Sequence, residues 1–435
     1  MVGLALLART DRAGNRFMKI AVVGSGISGL TAAWMLQTQH EVSLFEADAR
    51  LGGHTHTVKV AAGTQGEELP VDTGFIVFNR HTYPIFCSLL EKLKVDAQNS
   101  DMGFSVQVQA NKVAYHGRGF WGLFAQPRNL LRPAHWRMLR DLLRFYREAP
   151  ALLESEDSPT LGEYLQENNY SKVFLEEHLS PMAAAVWSTD PADILNFPAR
   201  TLVQFFQNHG FLNVKDRPQW LTVEGGSRTY VDALLAELRG PVFLSTAVLG
   251  LRREGGKVWL RTADKEQCFD QVVVATHGDI ALCMLVDATA LEQEVLAPFT
   301  FQANDVVLHQ DSSLMPKEQR TWSAWNYFVP TRGAVRATVT YWMNRLQNIR
   351  SAKPLFVTLN RSEEIDADKV ISNFSYDHPI FSAAAVASQA RHAEISGVAG
   401  IHFCGAYWRN GFHEDGAWSA LRVAQALGVS EDVLA

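Results

Sequence analysis

MKIAVVGSGISGL, residues 18–30, decides the fold. Its first half, Met18–Val23, is a short apolar run rich in β-branched residues, the pattern of a strand buried on both faces. Its second half opens a turn on three glycines, Gly24, Gly26 and Gly29, and from Leu30 to Thr38 the residues alternate at helical spacing. A second strand pattern, Glu41–Phe45, ends at Glu46. Strand, turn, helix and strand fill about thirty residues, the span of a βαβ dinucleotide-binding unit. Gly24 permits the tight turn, Gly26 lets the backbone approach a pyrophosphate, and Gly29 lets the helix pack on the sheet. The helix start, with Ser28, presents free N–H groups and a partial positive charge to phosphates. Glu46 stands where an acid accepts hydrogen bonds from ribose hydroxyls, and a carboxylate there repels a 2′-phosphate.

The next residues separate a flavin from a nicotinamide cofactor. Ala47-Asp48-Ala49-Arg50-Leu51-Gly52-Gly53-His54 places a second glycine pair after the ribose acid. Arg50 can reach a phosphate, and Gly52 and Gly53 let backbone meet the middle of the cofactor. FDQVVVATHG, residues 269–278, reads as a strand returning to the same sheet, and Val248 is placed to pack against adenine. Near the end, Phe403-Cys404-Gly405-Ala406 closes a strand and GFHEDGA, residues 411–417, opens a helix. That helix start, with Asp415, Gly416 and Ala417, is positioned to stabilise negative charge at flavin N1/O2. The expected cofactor is FAD.

The chain has 435 residues, 47% of them hydrophobic, and a net charge of -6. This is enough for a large core, and an acidic chain is not built for nucleic acid. Cys87, Cys268, Cys283 and Cys404 are scattered, with no CxxC pair and no metal-site spacing, so a reducing cytoplasm is expected and a metal is not. No apolar run is long enough to cross a bilayer. Residues 1–17 read as an upstream extension and not as a signal peptide. The expected architecture is α/β: a Rossmann-type FAD-binding domain from residues 18–80, 215–295 and 395–435, with an inserted α+β substrate domain from 81–214 and 296–394.

The ends of the chain and TVEGGSRTYVDAL, residues 222–234, resemble the flavin-containing amine oxidase superfamily, a group of two-dinucleotide-binding-domain flavoproteins. VDTGFIVFN, SPMAAAVWSTDP, NHGFL, LHQDSSLMP, TYWMNRLQ and GFHEDG resemble more closely a bacterial group of NAD/FAD-binding proteins. That group is related to the N-terminal region of plant cyclopropane fatty acid synthases and to a flavin-dependent fatty acyl desaturase. The resemblance implies cofactor positions at Gly24, Gly26, Gly29, Glu46, Arg50, Gly53, Val248, Gly405 and Asp415 through Ala417. It departs at one place. Amine oxidases usually carry a lysine on a substrate-domain strand, and the comparable strand here, DVVLHQ at 305–310, has none. The covalent-flavin cysteine of some relatives is not evident either, so a dissociable FAD is expected.

His413 and Glu414, in the loop entering the last helix, are the candidate proton-transfer residues, weighed against a structural role in which they shape that loop and hydrogen-bond to cofactor or backbone. His54, His56 and His209 are weighed mainly as structural. Trp187, Tyr327, Tyr341 and Trp342 are candidates for the wall of an apolar substrate tunnel. Residues 117–147 interleave Phe120, Trp121, Phe124 and Trp136 with seven arginines, Arg118 to Arg147, and one acid, Asp141. That pattern suits an anionic membrane surface, and would make the protein cytoplasmic and peripheral on the inner face of the membrane.

The function expected is an FAD-dependent dehydrogenase or desaturase of fatty acyl chains, passing hydride to flavin N5. The alternatives are an amine oxidase or carotenoid-type desaturase, a flavin-binding accessory subunit partnering a lipid methyltransferase, and a redox-neutral double-bond isomerase.

Overall fold

The computed structural model describes residues 17–155, 159–187, 190, 193–214, 217–331 and 336–434. All but the last residue of the expected N-terminal extension lie outside them.

A five-stranded parallel sheet is assembled from distant parts of the chain. Its order is Val242–Phe243, Glu41–Phe45, Lys19–Val23, Gln271–Val274 and Ile401–Phe403. The Lys19–Val23 strand is central and buried after its first residue, as a strand covered on both faces must be. The chain passes first to Glu41–Phe45 on one side and returns only at Gln271–Val274 on the other, so the C-terminal end of the central strand is a topological switch point, the usual crevice for a ligand in such sheets. The helices Ile27–Leu36 and His413–Ala426 cover this sheet side by side, and both begin beside that crevice.

A seven-stranded sheet forms a second layer. Its order is Val370–Ile380, Thr300–His309, Phe356–Leu359, Val339–Trp342, Trp325–Val329, Phe104–Val108 and Val113–His116. Register fixes its two faces. Asn304 pairs with Tyr376, Val306 with Leu359, and Tyr341 with both Val357 and Trp325. This inner face joins the core made by the helices Pro133–Glu148, Ser180–Trp187 and Ala199–Asn208. Phe145 and Phe206 in that core are almost fully buried, each contributing roughly 1.5–3 kcal/mol. The outer face carries Trp342, Phe356, Thr340 and Thr358, where His309 Nε2 meets Thr358 Oγ1 at 2.7 Å.

Several expectations need adjustment. The apolar pattern over Val242–Leu251 predicts one strand, and the structure has two short ones in different sheets, Val242–Phe243 and Gly250–Glu254, because the intervening loop crosses from the parallel sheet to a three-stranded antiparallel one. The last helix starts at His413, four residues before Ala417. The eleven-residue strand Val370–Ile380 gave no clear sequence signal, since its exposed edge is mostly polar.

Candidate cofactor and active site

The glycine turn is built as its spacing requires. Gly24 has φ +98°, and a Cβ there would stand 2.7 Å from the Ala275 carbonyl oxygen. A Cβ on Gly29 would fall 1.8 Å from the Gly24 carbonyl oxygen, so only glycine lets the helix sit on the turn. At Gly26 a Cβ would meet nothing within 4 Å. Gly26 is also the N-cap of Ile27–Leu36 and supplies no side-chain cap. The first N–H groups of that helix are thus left for a partner from outside the chain, and an anion is the natural one.

Glu46 closes the turn from the neighbouring strand. Its carboxylate accepts the Ser25 N–H at 2.9 Å, the Ser25 hydroxyl at 2.5 Å and the Asp48 N–H at 2.9 Å. Ser25 in turn accepts the Gly52 N–H, through its carbonyl at 3.0 Å and its hydroxyl at 3.2 Å. Gly53, at φ +55°, lies back to back with Gly26, where a Cβ would approach the Gly26 Cα to 3.1 Å. The two glycine motifs therefore form one cradle, pinned by Ser25, a residue the motif reading passed over. Ala47 is exposed on its rim, and Arg50 points back to the Thr55 carbonyl at 3.4 Å.

The closing helix completes the cradle. A Cβ on Gly416 would stand 2.8 Å from Ser28 Oγ and 2.6 Å from Ile27 Cγ2. The starts of the two helices thus converge, with Ala417 fully buried between them and the sheet. The Gly405 N–H donates to Ser419 Oγ at 3.1 Å, tying the last strand to the same helix. Val248 is half-buried against the apolar cluster on the other side of the sheet, next to the Phe45–Phe243 stack. The donor set, the space at Gly26 and the glycine-lined approach fit FAD. Of the residues expected to hold it, Gly24, Gly26, Gly29, Glu46, Gly52 and Gly53 meet in the first cradle, Ser28 and Gly416 join it to the closing helix, and Gly405 is tied to that helix.

A ring cluster joins this cradle to the seven-stranded sheet. His54 lies 5.3 Å from Tyr376, 5.4 Å from His378 and 6.0 Å from His277 between ring centroids. His54 Nε2 is buried with no hydrogen-bond partner in the protein, an orphan polar atom beside the cradle. Burial, then the neighbouring His378, holds the His54 imidazolium far below its ordinary range. Burial likewise depresses His378 to about 4. The cluster is therefore neutral at physiological pH. No group of three metal-ligating side chains occurs among the described residues.

His413 and Glu414 stand at the first turn of the last helix, and their contacts are those of the structural alternative. His413 Nε2 lies 3.0 Å from both Thr55 Oγ1 and the Tyr230 hydroxyl, and its ring stacks on Phe75 at 3.5 Å. Burial lowers its imidazolium to about 3, so it is no proton exchanger near neutrality. The Glu414 carboxylate accepts the N–H groups of Ile85 and Phe86 at 3.1 and 3.0 Å, capping the helix Pro84–Lys92. Both clamp the closing helix in place. Burial raises Glu414 to about 7 and Asp415 to about 6. Asp415 accepts the Phe412 N–H at 2.9 Å and so caps its own helix.

The tunnel candidates do not share one wall. Tyr327 and Tyr341 lie on the inner face of the large sheet, but Trp342 alternates to the outer face and packs on Trp322 at 5.4 Å. Trp187 stacks in the helical core, 4.7 Å from Phe205, and donates its indole N–H to the Asn410 carbonyl at 3.3 Å. His209 stacks on Phe205 at 3.9 Å and is likewise a packing residue. Three motifs scattered along the sequence do meet. Buried Asp72 accepts the Ser227 N–H at 2.9 and 3.0 Å and the Gln347 amide at 2.7 Å.

The comparisons with known proteins agree with this geometry. The model of the family described as flavin containing amine oxidoreductase matches residues 27–308. A Mycobacterium tuberculosis protein named "Putative flavin-containing monoamine oxidase AofH" is 24% identical over 378 residues, covering 82% of this chain and 73% of that protein. The cyclohexylamine oxidase of Brevibacterium oxydans superposes with a TM-score of 0.65 at 16% identity, over 94% of this chain and 98% of that one. A CLA-producing fatty acid isomerase from P. acnes gives a TM-score of 0.65 at 15% identity, with the same coverage. At those identities the structural likeness is one of fold.

Proposed function

The chain belongs to the flavin containing amine oxidoreductase family, and we propose that within it the protein dehydrogenates an apolar substrate, a modified fatty acyl chain, with non-covalently bound FAD as the two-electron acceptor. That it is an FAD-dependent oxidoreductase follows from the family. The substrate class is our reading.

One observation carries it. The strand Thr300–His309 runs past the His54 cluster and turns Gln302, Asn304, Val306 and Leu308 inward. That face holds no lysine and no carboxylate. Asn304 is fully buried, and its amide donates to the Gln302 carbonyl and accepts from the Asn360 amide at 2.9 Å. His54, Tyr376 and His378, which adjoin it, are uncharged near neutrality. A neutral, partly aromatic wall suits a C–H donor in an apolar chain. It offers no counter-ion to an ammonium group. The neutral imidazole of His54 offers one N–H donor and one acceptor nitrogen and carries no charge, so its part is to orient and to exclude water.

A second reading, amine oxidation, is favoured by the name of the mycobacterial relative. Anaerobic mixing of the holoprotein with lipid extracts, branched or unsaturated acyl lipids and a panel of amines separates them. Lasting bleaching of the flavin by an acyl lipid supports dehydrogenation. Bleaching by an amine alone overturns it. Product without lasting bleaching indicates isomerisation, and no response to any substrate favours an accessory role.

A further inference from the structure

The large apolar side chains left in solvent are not scattered evenly. Trp121 is 84% exposed and Leu131 87%, and Phe120, Leu130, Trp136 and Leu143 are also exposed. They belong to one stretch, and four of them, Phe120, Trp121, Leu130 and Trp136, are linked through Phe124. Phe120 packs on Trp121 at 5.6 Å and on Phe124 at 4.7 Å, Phe124 packs on Trp136 at 4.9 Å, and the Trp136 indole donates to the Leu130 carbonyl at 2.9 Å. The patch continues along the helix Pro133–Glu148. That helix buries Met138, Leu142 and Phe145 against the core and turns Trp136, Arg137, Arg140, Leu143 and Arg147 outward at helical spacing.

Its charge opposes that of the rest of the chain. Residues 118–147 hold seven arginines and one acid, in a protein of net charge -6. That acid, Asp141, is buried and accepts the Ser171 N–H. Arg137 has no ion-pair partner among the described residues, and Arg140 reaches only the shielded Asp141 at 3.7 Å. A contiguous exposed patch of aromatic and aliphatic tips marks a contact surface. Tryptophan and leucine interleaved with arginine match the boundary between headgroups and acyl chains. A second copy of the chain through the same patch would set arginines against arginines, since a two-fold contact pairs a surface with itself.

We propose that this surface docks on an anionic lipid bilayer. Trp121 and Leu131 enter the interface, and Arg137 and Arg140 face lipid phosphates, while Arg147 is held by Glu148 at 2.7 Å. No helix among the described residues is long and apolar enough to cross a membrane, so the contact is one of surface. The inference goes beyond the reaction proposed above and stands without it.

The test is co-sedimentation of the full-length, FAD-loaded protein with vesicles of phosphatidylcholine alone or mixed with phosphatidylglycerol. The mixed vesicles are expected to bind it, and added salt to weaken binding. Arg137→Glu with Arg140→Glu is expected to lower partitioning roughly thirtyfold or more. Trp121→Ala with Leu131→Ala is expected to lower it at every salt concentration. All four positions are exposed, so flavin content and melting temperature should stay at wild-type values and report intact folding. The proposal is overturned by absence of binding to mixed vesicles at low salt or by variants that bind like wild type. It is also overturned if inorganic phosphate at equal phosphate concentration competes as well as the vesicles do, or if the same substitutions abolish a dimer that forms without lipid.

Discussion

Gly416 in the last helix lies against Ser28 in the first, so closely that a Cβ on Gly416 would come within 2.8 Å of the Ser28 hydroxyl oxygen. Almost four hundred residues of sequence separate them, yet they bring two helix starts to one crevice, where each adds partial positive charge. The contact should tolerate no large side chain. Gly416→Val is expected to yield protein that purifies without flavin and does not take it up, checked by the 450 nm band after dialysis against FAD. A yellow variant of normal affinity would place the cofactor elsewhere.

Glu46 is expected to act through Ser25 as much as through the cofactor. Glu46→Gln leaves one oxygen to accept three donors, the Ser25 N–H, the Ser25 hydroxyl and the Asp48 N–H. Loss of a charged acceptor should weaken FAD binding by about 1–3 kcal/mol, read from fluorescence titration of the apoprotein. Ser25→Ala should follow in the same direction with a smaller loss.

Gly29→Ala tests the packing half of the motif. Its Cβ would meet backbone at 1.8 Å, so the helix must lift from the turn. A destabilisation of about 1–3 kcal/mol is expected, together with weaker FAD binding. Thermal unfolding with and without FAD reads both.

Burial raises three carboxyls, Asp72 and Asp415 to about 6 and Glu414 to about 7, above their ordinary 3.8 and 4.5. At these three groups the folded chain holds more protons than the unfolded one between about pH 4 and 7, whereas the buried histidines, whose charged form burial disfavours, contribute in the opposite sense. Stability from these groups is full below that window and is lost as pH rises through it. Glu414→Gln removes the falling contribution of this group, so the variant's melting temperature should gain on that of wild type as pH rises across this range. A wild-type profile that gains on the variant's as pH rises would contradict the assignment.

His413 holds the loop through Thr55 and Tyr230. His413→Gln should change the amplitude of flavin reduction modestly and leave its pH profile in place between pH 6 and 8, because the wild-type imidazole is already neutral there. Loss of a pH limb in that range would restore His413 as a proton-transfer residue.

The cofactor half was legible because its constraints are local. Gly24, Gly29 and Glu46 are fixed by steric and hydrogen-bond demands within one βαβ unit, and spacing alone expresses those demands. The first strand, the first helix and the second strand fall within a few residues of their expected bounds. The ring cluster beside the cradle was not legible. Tyr376 and His378 reach His54 from a strand more than three hundred residues further along the chain, and nothing in YDH signals that meeting. For His413-Glu414 the sequence left a reactive and a structural role open, and only the fold brings the Ile85 and Phe86 amides to Glu414 and the Thr55 and Tyr230 hydroxyls to His413. Trp342 was grouped with Tyr341 by adjacency, whereas strand alternation puts neighbours on opposite faces.

The central claim is that the glycine turn, Glu46 and the closing helix hold one dissociable FAD. Titration calorimetry of FAD into deflavinated protein, followed by acid precipitation of the complex, tests it most directly. We expect one FAD bound per chain and all the yellow colour in the supernatant. Absence of binding, or colour that stays with the precipitated protein, would contradict the account.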